Sequence, residues 1–279
     1  MTFTPDGKTV IAGGDDRTVR VWETHTGRDL AVVRGHGSLV IAGTMSPDGN
    51  VLATSDYGGT IRLWNKSNDS WQTTHALPGH KGPARGLVIS PDSETLASCG
   101  EDATVRLWDI QTGEQRKLVN GHSKPVHGLA FHPLGKVLAT GGTDMDVKLW
   151  DPSTGNLLQT LSKNEKVRRL AYSPDGTVLA IGTTDGFVKL RSTDADQELA
   201  TFKAHTGEVR ALAFSPDGSR LATGGEDKLI KLWHVTTGQE LLSLNWHKRT
   251  ISGLAFSPDG KALASASHDG TVRLWLSGQ

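Results

Sequence analysis

Tryptophan recurs through this chain of 279 residues at a nearly constant spacing. When the chain is aligned on the segment 205–246, six copies hold tryptophan at the equivalent position and the seventh holds Arg191, with steps of 41 to 44 residues. The tryptophans are Trp22, Trp64, Trp108, Trp150, Trp233 and Trp275. A period of this length is typical of repeat proteins, in which each copy is one supersecondary unit that buries its core against its neighbours.

A turn segment repeats with the same period. It is Pro-Asp-Gly in five copies and changes to Pro91-Asp92-Ser93 and Pro133-Leu134-Gly135 in the other two. Proline presets φ, aspartate bonds the nearby backbone and glycine accepts positive φ, so the segment predicts a tight turn. The five regular turns begin at Pro5, Pro47, Pro174, Pro216 and Pro258. Two markers therefore indicate seven copies with no linker between them.

Each copy has the pattern of four short β-strands. In the segment 205–246 they are predicted near 209–214, 220–224, 229–234 and 239–244, where β-branched residues occur or apolar and polar residues alternate. No segment has a sustained helical period. A lone four-stranded sheet has two faces to cover, and packing the copies side by side covers both. The sequence thus predicts an all-β domain over residues 1–279.

Composition argues against several kinds of partner. The 30 basic side chains balance 30 acidic ones, so the electrostatic footprint of a general nucleic-acid binder or a polybasic membrane-surface protein is missing. No apolar run approaches the roughly 20 residues that a membrane helix needs. The single cysteine, Cys99, is predicted to be a small core residue and fits a reducing compartment. We therefore expect a cytoplasmic protein with no nucleic-acid or membrane partner.

Three further polar residues recur in register with tryptophan. An aspartate precedes the tryptophan by six residues, a serine or threonine precedes the aspartate by four, and a histidine lies in the preceding connection. Complete sets are His80, Ser98, Asp102 and Trp108; His122, Thr140, Asp144 and Trp150; His205, Thr223, Asp227 and Trp233; and His247, Ser265, Asp269 and Trp275. We call each set a tetrad.

With the literal Trp-Asp pairs at 108–109 and 150–151, this pattern resembles the WD-repeat (WD40) β-propeller family over essentially the whole chain. The resemblance implies a closed ring of seven four-stranded antiparallel blades around a central channel. It also implies that each tetrad is a hydrogen-bonded structural network.

A hydrolase triad is the alternative interpretation of Ser98, His80 and Asp102. The same set recurs in four copies with threonine exchanged for serine, and no Gly-x-Ser-x-Gly elbow surrounds Ser98. These features favour the structural interpretation. No phosphate-binding loop is present, and the spacing of His122, His127 and His132 does not match a metal site, so we expect neither cofactor nor metal.

Two copies depart from the tetrad. The second has Gly58 where aspartate is expected, although it keeps His36, Thr54 and Trp64. The fifth has Ile181 for serine or threonine, Arg191 for tryptophan, and Lys163 or Asn164 for histidine. We expect these two blades to be the most mobile in the ring.

The two ends of the sequence do not contain complete copies. Residues 1–3 align with the middle of a first strand, and only four residues follow Trp275. One interpretation is an excerpt of a longer chain, and the other is a short protein with a three-stranded last blade. In both cases the strand near 271–274 should expose a pairing edge.

Partner binding is expected on the face that carries the loops before each first strand and between the second and third strands. Arginine, tyrosine and histidine are frequent at protein contacts. The candidates are Tyr57, Arg85, Glu101, His127, Arg168, Arg210, Glu226 and His268, whose mixed charge suggests a peptide of both signs. Trp71 lies in a two-residue insertion and either contacts a partner or folds back, whereas Trp246 is predicted to pack.

These features favour a non-catalytic protein-interaction platform, which is either a scaffold or the recognition domain of a larger regulatory protein. We expect a monomeric propeller that binds a protein or peptide partner. The alternatives are a propeller hydrolase or lyase with its site at the channel mouth, and a structural assembly through the terminal edge. The enzyme alternative needs convergent carboxylates or histidines outside the tetrads, and the sequence offers none that cluster.

Overall fold

The computed structural model describes residues 1–67, 70–162, 165–195 and 197–276, and this part of the chain contains 27 β-strands and no helix. The strands of the first three blades are β1 (Thr2–Phe3), β2 (Thr9–Gly13), β3 (Thr18–Glu23), β4 (Asp29–Arg34), β5 (Val40–Met45), β6 (Val51–Asp56), β7 (Ile61–Ser67), β8 (Ser70–Leu77), β9 (Ala84–Ile89), β10 (Thr95–Gly100), β11 (Thr104–Asp109) and β12 (Gln115–Asn120). The next two blades contain β13 (Val126–Phe131), β14 (Leu138–Gly142), β15 (Asp146–Trp150), β16 (Leu157–Ser162), β17 (Val167–Tyr172), β18 (Val178–Thr183), β19 (Phe187–Ser192) and β20 (Glu198–Lys203). The last two contain β21 (Val209–Phe214), β22 (Arg220–Gly225), β23 (Ile230–His234), β24 (Glu240–Leu244), β25 (Ile251–Phe256), β26 (Ala262–Ser267) and β27 (Val272–Leu276).

The strands form seven antiparallel sheets, each with its strands in chain order. The first strand of every blade contacts the first strands of both neighbouring blades, and β1 contacts both β5 and β25. The seven blades therefore close into a ring whose central channel is lined by these first strands. This confirms the predicted seven-bladed propeller, and the four strands predicted within 205–246 match β21 to β24 to within one residue. Among the described residues, no helix has the length and apolar character needed to cross a membrane.

Hydrophobic cores lie between successive blades. One cluster joins Val19 and Val21 of the first blade to Leu52 and Trp64 of the second. The same arrangement joins the ends of the chain, where Phe3 packs with Ala262 and Ala264 of the last blade. Each sheet buries both of its faces in this way, which is why a single copy lacks a core of its own.

The turns between first and second strands form a ring at one end of the propeller. In the regular turns a serine or threonine hydroxyl donates to the aspartate, as Ser215 does to Asp217 at 2.5 Å. The glycine takes positive φ, and in four of the five regular turns it lies against the proline of the neighbouring blade, as Gly7 does against Pro258 of the last blade. Pro-Asp-Gly thus forms the turn and also contributes to contact between blades.

The first and last blades differ from the others. In the first, β1 has only two residues. In the last, β25, β26 and β27 form a three-stranded sheet, so β27 is an edge strand within the described part of the chain. Residues 277–279 lie outside the described residues. The edge expected near residues 271–274 is therefore present.

Trp71 does not lie in a loop, as the sequence suggested. The insertion lengthens a hairpin, in which Lys66 pairs with Trp71 and Ser67 pairs with Ser70. Residues 68 and 69 of this insertion lie outside the described residues. Trp71 is half-buried and packs against the cluster between the first and second blades. The indole of Trp71 folds back on its own blade because β8 extends far enough to place it there.

Candidate functional site

The structure brings each predicted tetrad into one hydrogen-bonded chain. In the third blade, His80 Nδ1 lies 2.9 Å from Asp102, His80 Nε2 lies 2.8 Å from Ser98 Oγ, and Trp108 Nε1 donates to the same oxygen at 2.9 Å. Equivalent contacts of 2.7–3.0 Å join His122, Thr140, Asp144 and Trp150; His205, Thr223, Asp227 and Trp233; and His247, Ser265, Asp269 and Trp275. Each tetrad ties the loop entering a blade to that blade's second and third strands.

The hydrogen bonds of a tetrad all run in the same direction, from the tryptophan to the aspartate. The Trp108 indole can only donate, so Ser98 Oγ accepts from it and donates its own proton to His80 Nε2. His80 Nδ1 then carries the imidazole proton and donates it to Asp102, which also accepts the Lys81 amide at 3.0 Å. Burial lowers the pKa of His80, so its ring is neutral at neutral pH. Burial alone would raise the pKa of Asp102, but hydrogen bonds led by that from His80 lower it below its usual value.

The tetrad hydroxyls have the partners of a hydrolase nucleophile but not its accessibility. Ser98, Thr140, Thr223 and Ser265 are all fully buried. Ser98 Oγ already contacts both Trp108 and His80, so a substrate carbonyl has no path to it. A nucleophile must meet its substrate as well as its base. The geometry therefore favours a structural role for these residues.

The second blade contains a tetrad that the sequence comparison missed. His36 Nδ1 lies 2.9 Å from Asp56, His36 Nε2 lies 2.7 Å from Thr54 Oγ1, and Trp64 Nε1 donates to that oxygen at 2.7 Å. Asp56 also accepts the Gly58 amide at 3.0 Å. The expectation that Gly58 leaves this blade without an aspartate was wrong. The basis for expecting a mobile second blade is therefore removed.

Asp56 occupies a position that is glycine in four other blades, at Gly14, Gly100, Gly142 and Gly225. At the last three of these a Cβ would lie within 3.0 Å of the tetrad histidine. The second blade places its aspartate side chain at this point and reaches the same imidazole from two residues earlier. The sequence signal was this exchange of glycine for aspartate, which a fixed spacing from tryptophan cannot detect.

The fifth blade retains only part of the arrangement. Asp185 is exposed and accepts a hydrogen bond from the Thr183 hydroxyl. Ile181 and Arg191 are both buried at the positions of the hydroxyl residue and the tryptophan. Lys163 and Asn164, the candidates for the histidine position, lie outside the described residues. The expectation of higher mobility for this blade remains a prediction.

Bulges on the first strands direct a set of side chains toward one end of the channel. In blades two to seven one residue of the first strand is left unpaired opposite the second strand. A bulge re-aims the side chain of the extra residue. These residues are Ile41, Arg85, His127, Arg168, Arg210 and Ser252. Four of them are partner candidates from the sequence.

Contacts run between blades at this end. Tyr57 stacks on Arg85, whose Cζ is 5.3 Å from the ring centroid. Arg85 Nε donates to Glu101 Oε1 at 2.7 Å, and His127 Nε2 lies 3.5 Å from the same oxygen. His127 Nδ1 accepts from Arg168 Nη1 at 2.7 Å. The second, third, fourth and fifth blades are thereby connected.

The connection continues into the sixth blade. Arg168 Nε lies 3.1 Å from Glu208 Oε2, and the same oxygen is 2.9 Å from Arg210 Nε. Arg210 Nη2 donates to Glu226 Oε1 at 2.5 Å. The eight residues Tyr57, Arg85, Glu101, His127, Arg168, Glu208, Arg210 and Glu226 are called the channel-mouth cluster below. Glu208 was not among the sequence candidates, because it precedes its strand and belongs to neither set of aligned positions.

The channel-mouth cluster is partly buried, and its charges are paired with one another. His127 and Arg168 are each 8% exposed, so they lie below the surface. Whether the cluster meets a partner of both signs stays a prediction. Burial and the adjacent Arg168 guanidinium lower the pKa of His127 to about 4, which leaves the ring neutral at neutral pH. Burial lowers the pKa of Arg168 to about 10, so it stays cationic.

Three residues considered in the sequence analysis, His268, Trp246 and Cys99, lie outside this cluster. His268 is exposed in the turn between β26 and β27, and no side-chain hydrogen bond joins it to the cluster within the described residues. Trp246 is 68% exposed, so the prediction that it packs was wrong. The equivalent Gly79 and Gly121 lie against the tetrad tryptophans of their blades, and the larger residue at 246 cannot occupy that space. Cys99 is buried, which raises the pKa of its thiol to about 12.

No group of three or more histidine, cysteine, aspartate or glutamate side chains in the described part of the chain is arranged to hold a metal ion. At the channel mouth, arginine, histidine and glutamate side chains provide hydrogen bonds and ion pairs. Such groups recognise peptides and charged side chains.

Comparison with known families gives two matches. A family described as the echinoderm microtubule-associated protein second beta-propeller matches residues 126–278. A family described as WD domain, G-beta repeat, matches residues 1–23, 27–65 and 71–109. The first family thus matches more than half of the chain, and the second matches most of residues 1–109.

Individual relatives match over short segments. A bromodomain and WD repeat-containing protein of Dictyostelium discoideum is 34% identical over 80 residues, which is 29% of this chain and 4% of the relative. A serine-threonine kinase receptor-associated protein of the same organism is 43% identical over 60 residues, covering 22% of this chain and 20% of the relative. WD repeat and SOCS box-containing protein 1 of Danio rerio is 37% identical over 67 residues, covering 23% and 16%. The matched segments thus span at most a fifth of these relatives.

Proposed function

Because the chain belongs to the WD-repeat β-propeller family, we propose that it is a non-catalytic platform that binds a protein or peptide at the channel mouth. Propellers of this family generally act as protein-interaction scaffolds and are generally non-catalytic. The chain acts either as a scaffold itself or as the recognition domain of a larger regulatory protein. We further propose a cytoplasmic location and a monomeric propeller.

The channel-mouth cluster is the observation that carries this proposal. It gathers tyrosine, arginine and histidine from five blades at one end of the ring, and these residue types are frequent at binding hot spots. Ion pairs and stacking already fix the side chains. Little conformational entropy is then lost when a partner docks, which favours affinity.

The two ends of the ring offer a direct test. Tyr57 is 49% exposed at the channel mouth, whereas Leu134 is 73% exposed in a turn between first and second strands. Successive turns of an antiparallel meander alternate between ends, so Leu134 lies at the opposite end. A photoreactive phenylalanine analogue is placed at each position, and both proteins are illuminated in extract of the source cells. We expect one recurrent adduct at position 57 and none of the same mass at position 134.

A second variant links the adduct to the channel-mouth cluster. Arg85→Gln combined with Arg210→Gln changes two side chains that are 26% and 25% exposed and leaves the buried Arg168 in place. This variant should reduce the adduct at position 57 without lowering the melting temperature by more than a few degrees. Equal adduct formation at both ends, or an adduct insensitive to the double substitution, contradicts a platform that binds through this end.

A further inference from the structure

Arg169 is a large residue at a first-strand position where five other blades have alanine or glycine. The equivalent residues, each following the bulge, are Ala42, Gly86, Gly128, Ala211 and Gly253. Arg169 is half-buried. Its guanidinium reaches the first strand of the fourth blade, where Nη1 lies 3.4 Å from the main-chain oxygen of His127. A long cationic side chain therefore occupies space that alanine or glycine leaves open elsewhere.

The guanidinium of Arg169 lacks a carboxylate counterion. Its Nη1 donates to the main-chain carbonyl oxygens of Arg168 at 3.0 Å and His127 at 3.4 Å. Within the described residues, no aspartate or glutamate oxygen lies within ion-pair distance of it. Arginine in a partly desolvated place is normally paired with an acid. Arg169 is thus a cation available to an incoming anion.

His127 supplies a second donor beside it. Because a guanidinium can only donate, the contact from Arg168 Nη1 makes His127 Nδ1 an acceptor and places the ring proton on Nε2. That Nε2–H is buried and has no hydrogen-bond partner, and Glu101 Oε1 lies 3.5 Å from the nitrogen. A buried donor without an acceptor is unfavourable and is satisfied when a ligand oxygen reaches it.

The charges at the mouth leave room for one negative charge. Arg85, Arg168 and Arg210 lie against Glu101, Glu208 and Glu226 respectively, which balances three cations with three anions. His127 is neutral. Arg169 remains as one unbalanced positive charge, and a carboxylate neutralises it whereas a doubly charged phosphate overcompensates.

We propose that the channel mouth binds one acidic side chain, an aspartate or glutamate of a partner peptide, between the Arg169 guanidinium and the Nε2–H of His127. The proposal rests on the proposed function, because it names the partner chemistry of the same face. The partner inserts its carboxylate past the partly buried Arg85 and Arg210 at the rim. The aspartate or glutamate thereby orients the rest of the peptide over Tyr57.

A positional library of acetylated, amidated heptapeptides tests the proposal. Each position in turn holds aspartate, glutamate, asparagine, glutamine or phosphoserine, and the immobilised protein selects from the pool. We expect the wild-type protein to prefer aspartate or glutamate over the matching amide at one position by about tenfold or more, as a hydrogen bond to a charged group allows.

Three variants and one control, Arg28→Gln, assign this preference to its residues. Arg169→Ala introduces the residue already present at Ala42 and Ala211, so it should fold, and it should abolish the acidic preference. Arg169→Lys keeps the charge and should retain most of the preference. Arg28→Gln removes an arginine that is 68% exposed in the turn between β3 and β4 and should change nothing. His127→Phe removes the second donor and should reduce the preference several-fold.

The outcomes separate the two proposals. Peptides that bind without an acidic preference, or with one that survives Arg169→Ala, overturn the carboxylate site and leave the platform intact. A stronger preference for phosphoserine than for glutamate also overturns it, in favour of a phosphopeptide partner. If no peptide is selected and the adduct at Tyr57 also fails to form, the proposed function is refuted as well.

Discussion

The imidazole Nδ1 of His36 lies 2.9 Å from a carboxylate oxygen of Asp56, which stands two residues before the position that holds the tetrad aspartate in other blades. The second blade therefore reaches the same hydrogen-bonded network by a different route. The repeat alignment suggested that Gly58 leaves this blade without its aspartate, and the contact shows that Asp56 supplies it. The substitution Gly58→Asp therefore becomes informative.

Restoring the usual aspartate at Gly58 should destabilise the protein. A Cβ at this position would lie 3.2 Å from Asp56 Oδ1, so Gly58→Asp places a second carboxylate beside the first. We expect the free energy of unfolding to fall by about 1–2 kcal/mol, a range common for unfavourable charge placement. Urea denaturation measures it. Gly37→Asp, at an exposed glycine with open space around its Cα, is the matched control and should change stability by less than about 0.5 kcal/mol. A stabilising effect of Gly58→Asp contradicts the role given to Asp56.

Removing the aspartate should cost far more in the third blade than in the fifth. Asp102 accepts from His80 and from the Lys81 and Thr104 amides, and its loss removes the carboxylate acceptor of the buried His80 ring. We expect Asp102→Ala to lower the free energy of unfolding by about 2–3 kcal/mol. Asp185 is exposed and accepts from the Thr183 hydroxyl, so Asp185→Ala should cost less than about 1 kcal/mol. Equal changes in the unfolding midpoint would falsify the view that tetrads stabilise the blades.

Stability should decline as the pH falls below about 6.5, the usual histidine pKa. Burial lowers the folded-state pKa of His36, His80 and His122, so in mildly acidic solution the unfolded chain binds more protons than the folded one. The contribution is fully present above pH 6.5 and is lost as the pH falls toward the folded-state pKa values. Unfolding midpoints at pH 8, 6 and 5 measure this dependence.

The pH dependence can be assigned by substitution. His80→Gln removes one of these groups, and its midpoint should change less between pH 8 and 5 than that of the wild type. His25→Gln, at an exposed histidine in the turn between β3 and β4, should preserve the wild-type dependence. If both variants keep the full pH dependence, the tetrad histidines are not its source.

Hydrogen exchange should report the open edge of the last blade. The outward amides of β27 have no neighbouring strand within the described residues, whereas those of β23 face β24. We expect the outward amides of β27 to exchange at least about tenfold faster than their counterparts in β23, because unpaired amides open at little cost. Mass spectrometry of peptides that cover 272–276 and 230–234 compares the two strands. Equal protection indicates that β27 is covered in solution, for example by another copy.

Much of the fold could be predicted because its determinants are local and repeated. The tryptophan spacing, the Pro-Asp-Gly turns and the alternating strands each recur within one blade, so the copies confirm one another. The four complete tetrads followed from the same alignment. Asp56 did not, because it reaches His36 in space from a position that the spacing assigns to glycine.

The channel-mouth cluster could be predicted only in part for a related reason. The candidate residues followed from aligned positions, and the pairs Arg85–Glu101 and Arg210–Glu226 share one spacing in sequence. The contacts from Arg168 to His127 and Glu208 cross blade boundaries. Their existence depends on bulges that turn the side chains inward, and the bulged positions themselves hold residues of several types.

The contact of Gly7 with Pro258 has a consequence for the order of folding. Every other neighbouring pair of blades is close in sequence, so its interface can form soon after the two copies collapse. The interface between the first and last blades requires almost the whole chain to return to its start, and loop closure costs about 0.6 kcal/mol more for each doubling of loop length. Contacts of such long range slow folding. Ring closure should therefore be the last and slowest step, and weakening that one interface should affect the folding rate differently from weakening any other.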